Sequence, residues 1–207
     1  MSERLVEGVR LSSPDKVLYP EQGITKSDLV DHYLAVAERM LPHVAMRPIT
    51  MVRCPTGRQK KCFYQRHAGA GVPKPIEKVT VPGFDNPYLV IRDVRGLVAL
   101  VQMGVLEIHP WGVRVERPDR ADRLILDLDP GEGLGFDAVA AAARDVRERL
   151  TALGLQSFVK TTGGKGLHVV LPIAPAEWPA VKGWARRFAE RMAADAPESY
   201  LIRAAKA

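Results

Sequence analysis

The sequence contains no apolar run long enough to cross a membrane. Its longest, Leu97 to Leu106, is broken by Gln102 and Gly104 and falls far short of the about 20 residues that a helical span needs. The opening segment, Met1 to Gly8, is polar and charged, unlike a secretory leader. Cysteine is scarce: Cys54 and Cys62 are the only two. They lack the four-ligand spacing of a structural zinc site and make no secreted disulfide framework, so reduced thiols are expected. Internal repeats and low-complexity tracts are also missing. These absences predict a cytoplasmic chain without a membrane partner.

What is present is a basic chain with material for a core. At 207 residues and 46% hydrophobic content it can bury one domain or two packed lobes. A net charge of +6 favours a polyanionic partner, because clustered Lys and Arg gain affinity by releasing phosphate counterions. Thr25 or Ser27 can cap a helix running to about Met40, with Pro42 past its end. Ile49 to Tyr64 reads as two strands around Pro55-Thr56-Gly57, and the Pro- and Gly-rich stretch from Gly69 to Pro87 as a loop. Strands follow near Tyr88 to Arg92 and Val105 to Ile108, with a short helix over Gly96 to Met103 between them. The spacing then predicts a strand over Arg123 to Asp129 and a helix from Phe136 to Leu153. Two strands, Gln156 to Thr161 and Leu167 to Ile173, and a helix from Pro179 with a buried stripe of Val181, Trp184, Ala185, Phe188 and Met192 complete the pattern. This is an α+β order, similar to a split β-α-β unit with an antiparallel sheet.

Three segments carry residues suited to phosphate chemistry. In Arg123 to Asp129, Ile125, Asp127 and Asp129 share one face of the strand, so both carboxylates can reach one metal or bridge two. The same Asp-x-Asp before Pro130-Gly131 also suits a solvated, Asx-capped turn. Lys160-Thr161-Thr162-Gly163-Gly164-Lys165-Gly166-Leu167-His168 combines cations, hydroxyls and glycines, which let backbone N–H groups approach phosphate oxygens. It is not a Walker A loop, and a flexible hairpin is the other reading. Arg53, Arg58, Lys60, Lys61, Phe63, Tyr64, Arg66 and His67 interleave cations with aromatics, as single-stranded nucleic-acid binders do, or form a charged hairpin whose aromatics face the core. On the strand around Val105 to Ile108, Glu107 and His109 share a face, with His109 either a ligand or a satisfied core histidine.

Taken in order, these and neighbouring segments resemble the polymerase domain of bacterial DNA ligase D, in the archaeo-eukaryotic primase superfamily. The resemblance is carried by Pro14-Asp15-Lys16-Val17-Leu18-Tyr19-Pro20, Gly23-Ile24-Thr25-Lys26, Arg53-Cys54-Pro55 and Gln65-Arg66-His67. It continues through Gln102 to Trp111, Leu126-Asp127-Leu128-Asp129-Pro130 and Lys160 to His168. It implies a primase-polymerase fold over residues 1–207, with an N-terminal α/β lobe packed on an RRM-like antiparallel sheet with helices. The implied activity is template-dependent nucleotidyl transfer at DNA breaks or gaps in non-homologous end joining. The implied cofactors are two divalent ions, Mn²⁺ or Mg²⁺, with a nucleoside triphosphate as substrate. Asp127 and Asp129 match the family's metal pair, and His109 and His168 match histidines of the nucleotide site. Thr162, Lys165 and Gly166 fall in its nucleotide-binding loop, and Lys16 and Lys26 match lysines that recognise a 5′-phosphate. Arg53, Phe63 and Tyr64 fall where DNA, template or nucleotide is touched. DNA ends or gapped DNA are the implied partner, with the Ku end-binding protein and an ATP-dependent ligase domain as candidates.

One departure qualifies this. The family carries a third catalytic Asp, and an Arg-rich region after it, beyond the point where this sequence ends at Ala205-Lys206-Ala207; a polymerase-type domain without a ligase or nuclease domain is expected. The expectation is therefore a C-terminally incomplete domain that binds metal-nucleotide and DNA ends but polymerises weakly. A non-catalytic DNA-end binding module is the alternative. A phosphatase of the haloacid-dehalogenase type also uses Asp-x-Asp after an apolar strand, but Pro130-Gly131 and the late position of the pair speak against it.

Overall fold

The computed structural model describes residues 3–69 and 71–202; the terminal Ala205-Lys206-Ala207 lies outside them. The chain divides into two compact units, Met1–Pro118 and Asp119–Ala207.

In the first unit, β1 (Glu3–Val6) and β2 (Val9–Ser12) form a hairpin, and β3 (Val17–Tyr19) and β4 (Ile24–Thr25) a smaller one. α1 (Lys26–Val44) begins at Thr25 with a reciprocal cap. The Thr25 hydroxyl accepts from the Asp28 N–H, and the Asp28 carboxylate accepts from the Thr25 N–H. The helix does not stop before Pro42 as expected. Proline so near the end removes one intrahelical bond, while Val44 is buried in the core and the Ala45 N–H still reaches Leu41 O.

β5 (Ile49–Arg53), β6 (Phe63–Gln65), β7 (Ile76–Val79) and β8 (Tyr88–Ile91) form an antiparallel sheet in the order β6-β5-β8-β7. β7 lies within the stretch expected to be loop. Its four residues sit between Pro75 and Pro82, too short for alternation to stand out, and pairing with β8 extends them. α2 (Val94–Gln102) covers the sheet with Leu97 to Val101 fully buried, and β9 (Val105–Pro110) pairs with β5. β10 (Val113–Arg114) follows.

The expectation of reduced thiols is corrected: Cys54 and Cys62 form a disulfide, with Cα atoms 4.4 Å apart. The cause is strand register. Arg53 pairs with Phe63, so the next residues outward, Cys54 and Cys62, face each other across the turn.

The second unit contains most of β11 (Arg117–Leu128), then α3 (Phe136–Ala152), β12 (Phe158–Thr161), β13 (Leu167–Glu177) and α4 (Trp178–Asp195). β13 lies between β11 and β12, antiparallel to both. This is the split β-α-β order anticipated above. Leu124, Val169 and Leu171 of the sheet are buried, as are Val139, Val146 and Leu150 of α3 and Val181 and Met192 of α4. Trp184 and Phe188 depart from the expected buried stripe. Their rings stack 5.3 Å apart and stay half-exposed. Arg149 of α3 bonds both Asp145 and Asp195, tying the two helices together.

Gly96 on α2 marks the closest approach of helix to sheet. A Cβ there would lie 2.5 Å from Ile91 Cβ. Gly96→Ala is expected to destabilise the fold by about 1–3 kcal/mol despite its better helix propensity, measured by urea unfolding.

Candidate functional site

The open face of the second unit's sheet carries a charged row. Asp127 on β11 pairs with His168 on β13, which pairs in turn with Lys160 on β12. Directly opposed residues project from the same face, so carboxylate, imidazole and ammonium stand side by side. His168 Nε2 is 3.3 Å from Asp127 Oδ1, with the Asp127 side chain 61% exposed and that of His168 23% exposed. Burial, and then the charge of Arg123, hold the Lys160 ammonium below its ordinary range, while Asp127 pulls the other way. Ile125, Asp127 and Asp129 are exposed while Leu124 is buried and Leu126 and Leu128 partly so, the alternation anticipated from the sequence.

The loop between β12 and β13 is shaped by glycine in two ways. Gly163 has φ of +82°, a left-handed conformation that side chains resist. Gly166 leaves room for the acidic strand: a Cβ there would lie 2.7 Å from both Asp129 Oδ1 and Leu128 O. The Thr162 hydroxyl donates to Gly166 O at 3.1 Å and accepts from the Gly164 N–H at 3.3 Å, so it holds the loop's shape. Lys165 is exposed at the tip. Among the described residues no three His, Cys, Asp or Glu side chains cluster as a metal cage. Asp127 and Asp129 are thus two hard oxygen donors on an open edge. That donor set fits Mg²⁺ or Mn²⁺ completed by water and phosphate oxygens.

The first unit carries two further groups of the anticipated residues. A cavity of about 220 Å³ is lined by Lys16, Lys26, Arg53, Ser12, Ser13 and Gln102, with Leu18, Pro55, Met103 and Gly104 around them. Lys26, at the start of α1, is only 6% exposed. Its burial, with the charge of Lys16 beside it, lowers its pKa from the ordinary 10.5. Arg53 belongs here: its Nε donates to Met103 O, its Nη1 to Gln65 Oε1, and its guanidinium lies 5.4 Å from the centre of the Phe63 ring.

On the exposed face of the sheet, Tyr64 and Glu107 both pair with Val52, and His109 lies one pleat along, opposite Thr50. Tyr64 is 71% exposed and Phe63 40%, so neither aromatic is buried in the core, and His109 is exposed rather than a core histidine. Its Nε2 donates to Glu107 Oε2 at 2.9 Å in the tautomer that leaves Nδ1 as the outward acceptor. The Tyr64 and His109 rings are 6.4 Å apart. Arg53, Phe63 and Tyr64 are therefore not one patch. Arg53 goes with the lysines, Tyr64 with His109, and Phe63 stands beside Arg53. Lys160, one of the cations of the Lys160–His168 segment, becomes the third member of the charged row, and Gln102, not among the candidate site residues, joins the cavity.

The glycine at 166 separates a crowded position from a free one. Gly166→Ala is expected to cost about 1–3 kcal/mol and to weaken Mn²⁺ binding by calorimetry, because the Leu128 carbonyl cannot yield cheaply. Gly164→Ala, whose Cβ would meet only Thr162 Oγ1 at 3.6 Å, is expected to stay within about 0.5 kcal/mol of the parent.

A family model described as "LigD, primase-polymerase domain" matches residues 25–207. The multifunctional non-homologous end joining protein LigD of Mycolicibacterium smegmatis is 37% identical over 191 residues, covering 90% of this chain and 25% of the relative. The LigD of Pseudomonas aeruginosa is 33% identical over 204 residues, covering 96% of this chain and 24% of that protein. The solved polymerase domain of Mycobacterium tuberculosis ligase D, in complex with DNA, superposes with a TM-score of 0.84 at 38% identity, covering 91% of this chain and 70% of that one. The chain thus spans about a quarter of the length of these curated relatives. With its α+β fold and antiparallel sheets, it belongs to the LigD primase-polymerase domain family.

Proposed function

We propose that this chain binds broken or gapped DNA through a 5′-phosphate and transfers nucleotides to the adjoining 3′ end, as part of non-homologous end joining. The observation that carries the reading is the Asp127–His168–Lys160 row beside a glycine-shaped loop, a mixed-charge surface suited to a metal-bound triphosphate. Asp127 and Asp129 would hold divalent ions, which when bound supply charge to the phosphates and acidify an attacking hydroxyl. The remaining work falls to the chain's own groups. His168 donates a hydrogen bond to a phosphate oxygen, and Lys160 and Lys165 offset phosphate charge. Thr162 keeps the loop's N–H groups aimed, and Gly166 keeps the Asp129 side free of obstruction. In the first unit, Lys16, Lys26 and Arg53 take the 5′-phosphate, and Tyr64 and His109 offer a ring face and a hydrogen-bonding edge to a base or nucleotide.

Primer extension on gapped DNA bearing a 5′-phosphate, with Mn²⁺, is expected to show incorporation that Asp127→Ala reduces to background while DNA binding is kept. A chain that binds the phosphorylated gap and incorporates nothing would instead be a DNA-end binding module. That second reading is favoured by one observation, that the three-cation cavity is formed within the first unit alone.

The lowered pKa of Lys26 gives a pH dependence of known sign. Phosphate binding needs the ammonium, so the preference for a 5′-phosphate is expected to fall as pH rises toward the lowered value, below the ordinary 10.5. The contribution of Lys26 to folding stability moves the opposite way. Between the two values the unfolded chain holds the proton more tightly, so stability rises with pH there. Anisotropy titrations and urea unfolding across that alkaline range measure the two trends.

A further inference from the structure

The cavity's cations are held by neutral oxygens. Lys16 Nζ donates to Pro55 O, and Lys26 Nζ to Ser12 O at 2.9 Å and Gln102 Oε1 at 2.8 Å; Arg53 donates to Met103 O and Gln65 Oε1. Among the described residues none of the three pairs with a carboxylate. A buried ammonium normally acquires an anionic partner. Here two of the three N–H groups of Lys26 are spent on uncharged acceptors, leaving one for whatever enters the cavity.

Gln102 is the residue that makes this arrangement. It sits at the last position of α2, and its side chain joins three elements. Its Oε1 accepts from the Ser12 N–H at 3.0 Å and from Lys26, while its Nε2 donates to Ser12 Oγ at 2.8 Å. The amide orientation is therefore fixed by both of its ends. A glutamate could keep the bonds to the Ser12 N–H and Lys26, and the Ser12 hydroxyl could turn to donate to it. Only the charge would differ.

Taking the cavity as the 5′-phosphate site proposed above, we infer that Gln102 is its positioning and specificity-determining residue: it aims Lys26 into the cavity without neutralising it, so that the counter-charge has to come from the phosphate. A side chain of the same shape with a negative charge would satisfy Lys26 from within and oppose the incoming anion.

The test is binding of the full chain to gapped DNA ending in a 5′-phosphate or a 5′-hydroxyl, by fluorescence anisotropy. The wild-type chain is expected to prefer the phosphate. In Gln102→Glu that preference is expected to fall at least about tenfold, the scale of one charge-assisted hydrogen bond, with hydroxyl-end affinity and melting temperature near wild type. Gln102→Met, which removes the acceptor without adding charge, is expected to lose less of the preference, and it carries the test should Gln102→Glu unfold. A folded Gln102→Glu chain that keeps the wild-type preference overturns the inference and leaves the phosphate reading standing, as does a Gln102→Met chain with full preference. Equal weakening for both DNA ends, with a lowered melting temperature, assigns Gln102 a structural role only and also overturns it. A wild-type chain indifferent to the phosphate overturns the reading of the cavity, and the inference with it.

Discussion

The pairing of β11 with β13, which sets Asp127 opposite His168, is the constraint on which the second unit's chemistry depends. Side chains alternate along each strand, so a slip of β11 by one residue would turn Asp127 and Asp129 toward the buried side and bring Leu124 out. Burying those charges without partners costs far more than the fold could recover. The register is thus held by the apolar face, and the polar face inherits its order. No separate interaction has to bring the carboxylates, the imidazole and the ammonium together.

The two units hold charge in different ways. On the second unit's sheet a carboxylate, an imidazole and an ammonium adjoin, with Asp127 and His168 lying 3.3 Å apart. In the first unit's cavity the charges are all of one sign, and their protein partners are carbonyl and amide oxygens. A mixed row suits a ligand that is itself mixed, such as a triphosphate with its cations. A one-sign cavity suits a simple anion.

Much of this was legible in the sequence, and what was not has a common cause. Alternation along a single strand placed Ile125, Asp127 and Asp129 on one face and Glu107 and His109 on another, because period two is a local property. The start of α1 was legible to within Thr25 or Ser27, because a helix cap is also a local feature. Contacts across strands were not. That His168 lies opposite Asp127, that Lys160 completes the row, and that Cys54 meets Cys62 all follow from register, which no short window contains. Arg53, Phe63 and Tyr64 looked like one basic-aromatic patch because they are close in sequence, but successive residues of a strand point to opposite faces. Gln102 was read as an interruption of an apolar stretch. It also opens one of the segments that carry the resemblance, but its three bonds needed the tertiary structure to be seen.

The disulfide has a consequence for how the first unit meets a polyanion. Cys54 and Cys62 close a short ring that contains Arg58, Lys60 and Lys61, all exposed. In an open loop, mutual repulsion would spread these cations apart. Within the ring the disulfide limits how far they can separate, so positive charge stays concentrated on one short segment. Attraction between such a segment and any polyanion weakens as salt rises, so closing the ring sharpens the first unit's response to ionic strength.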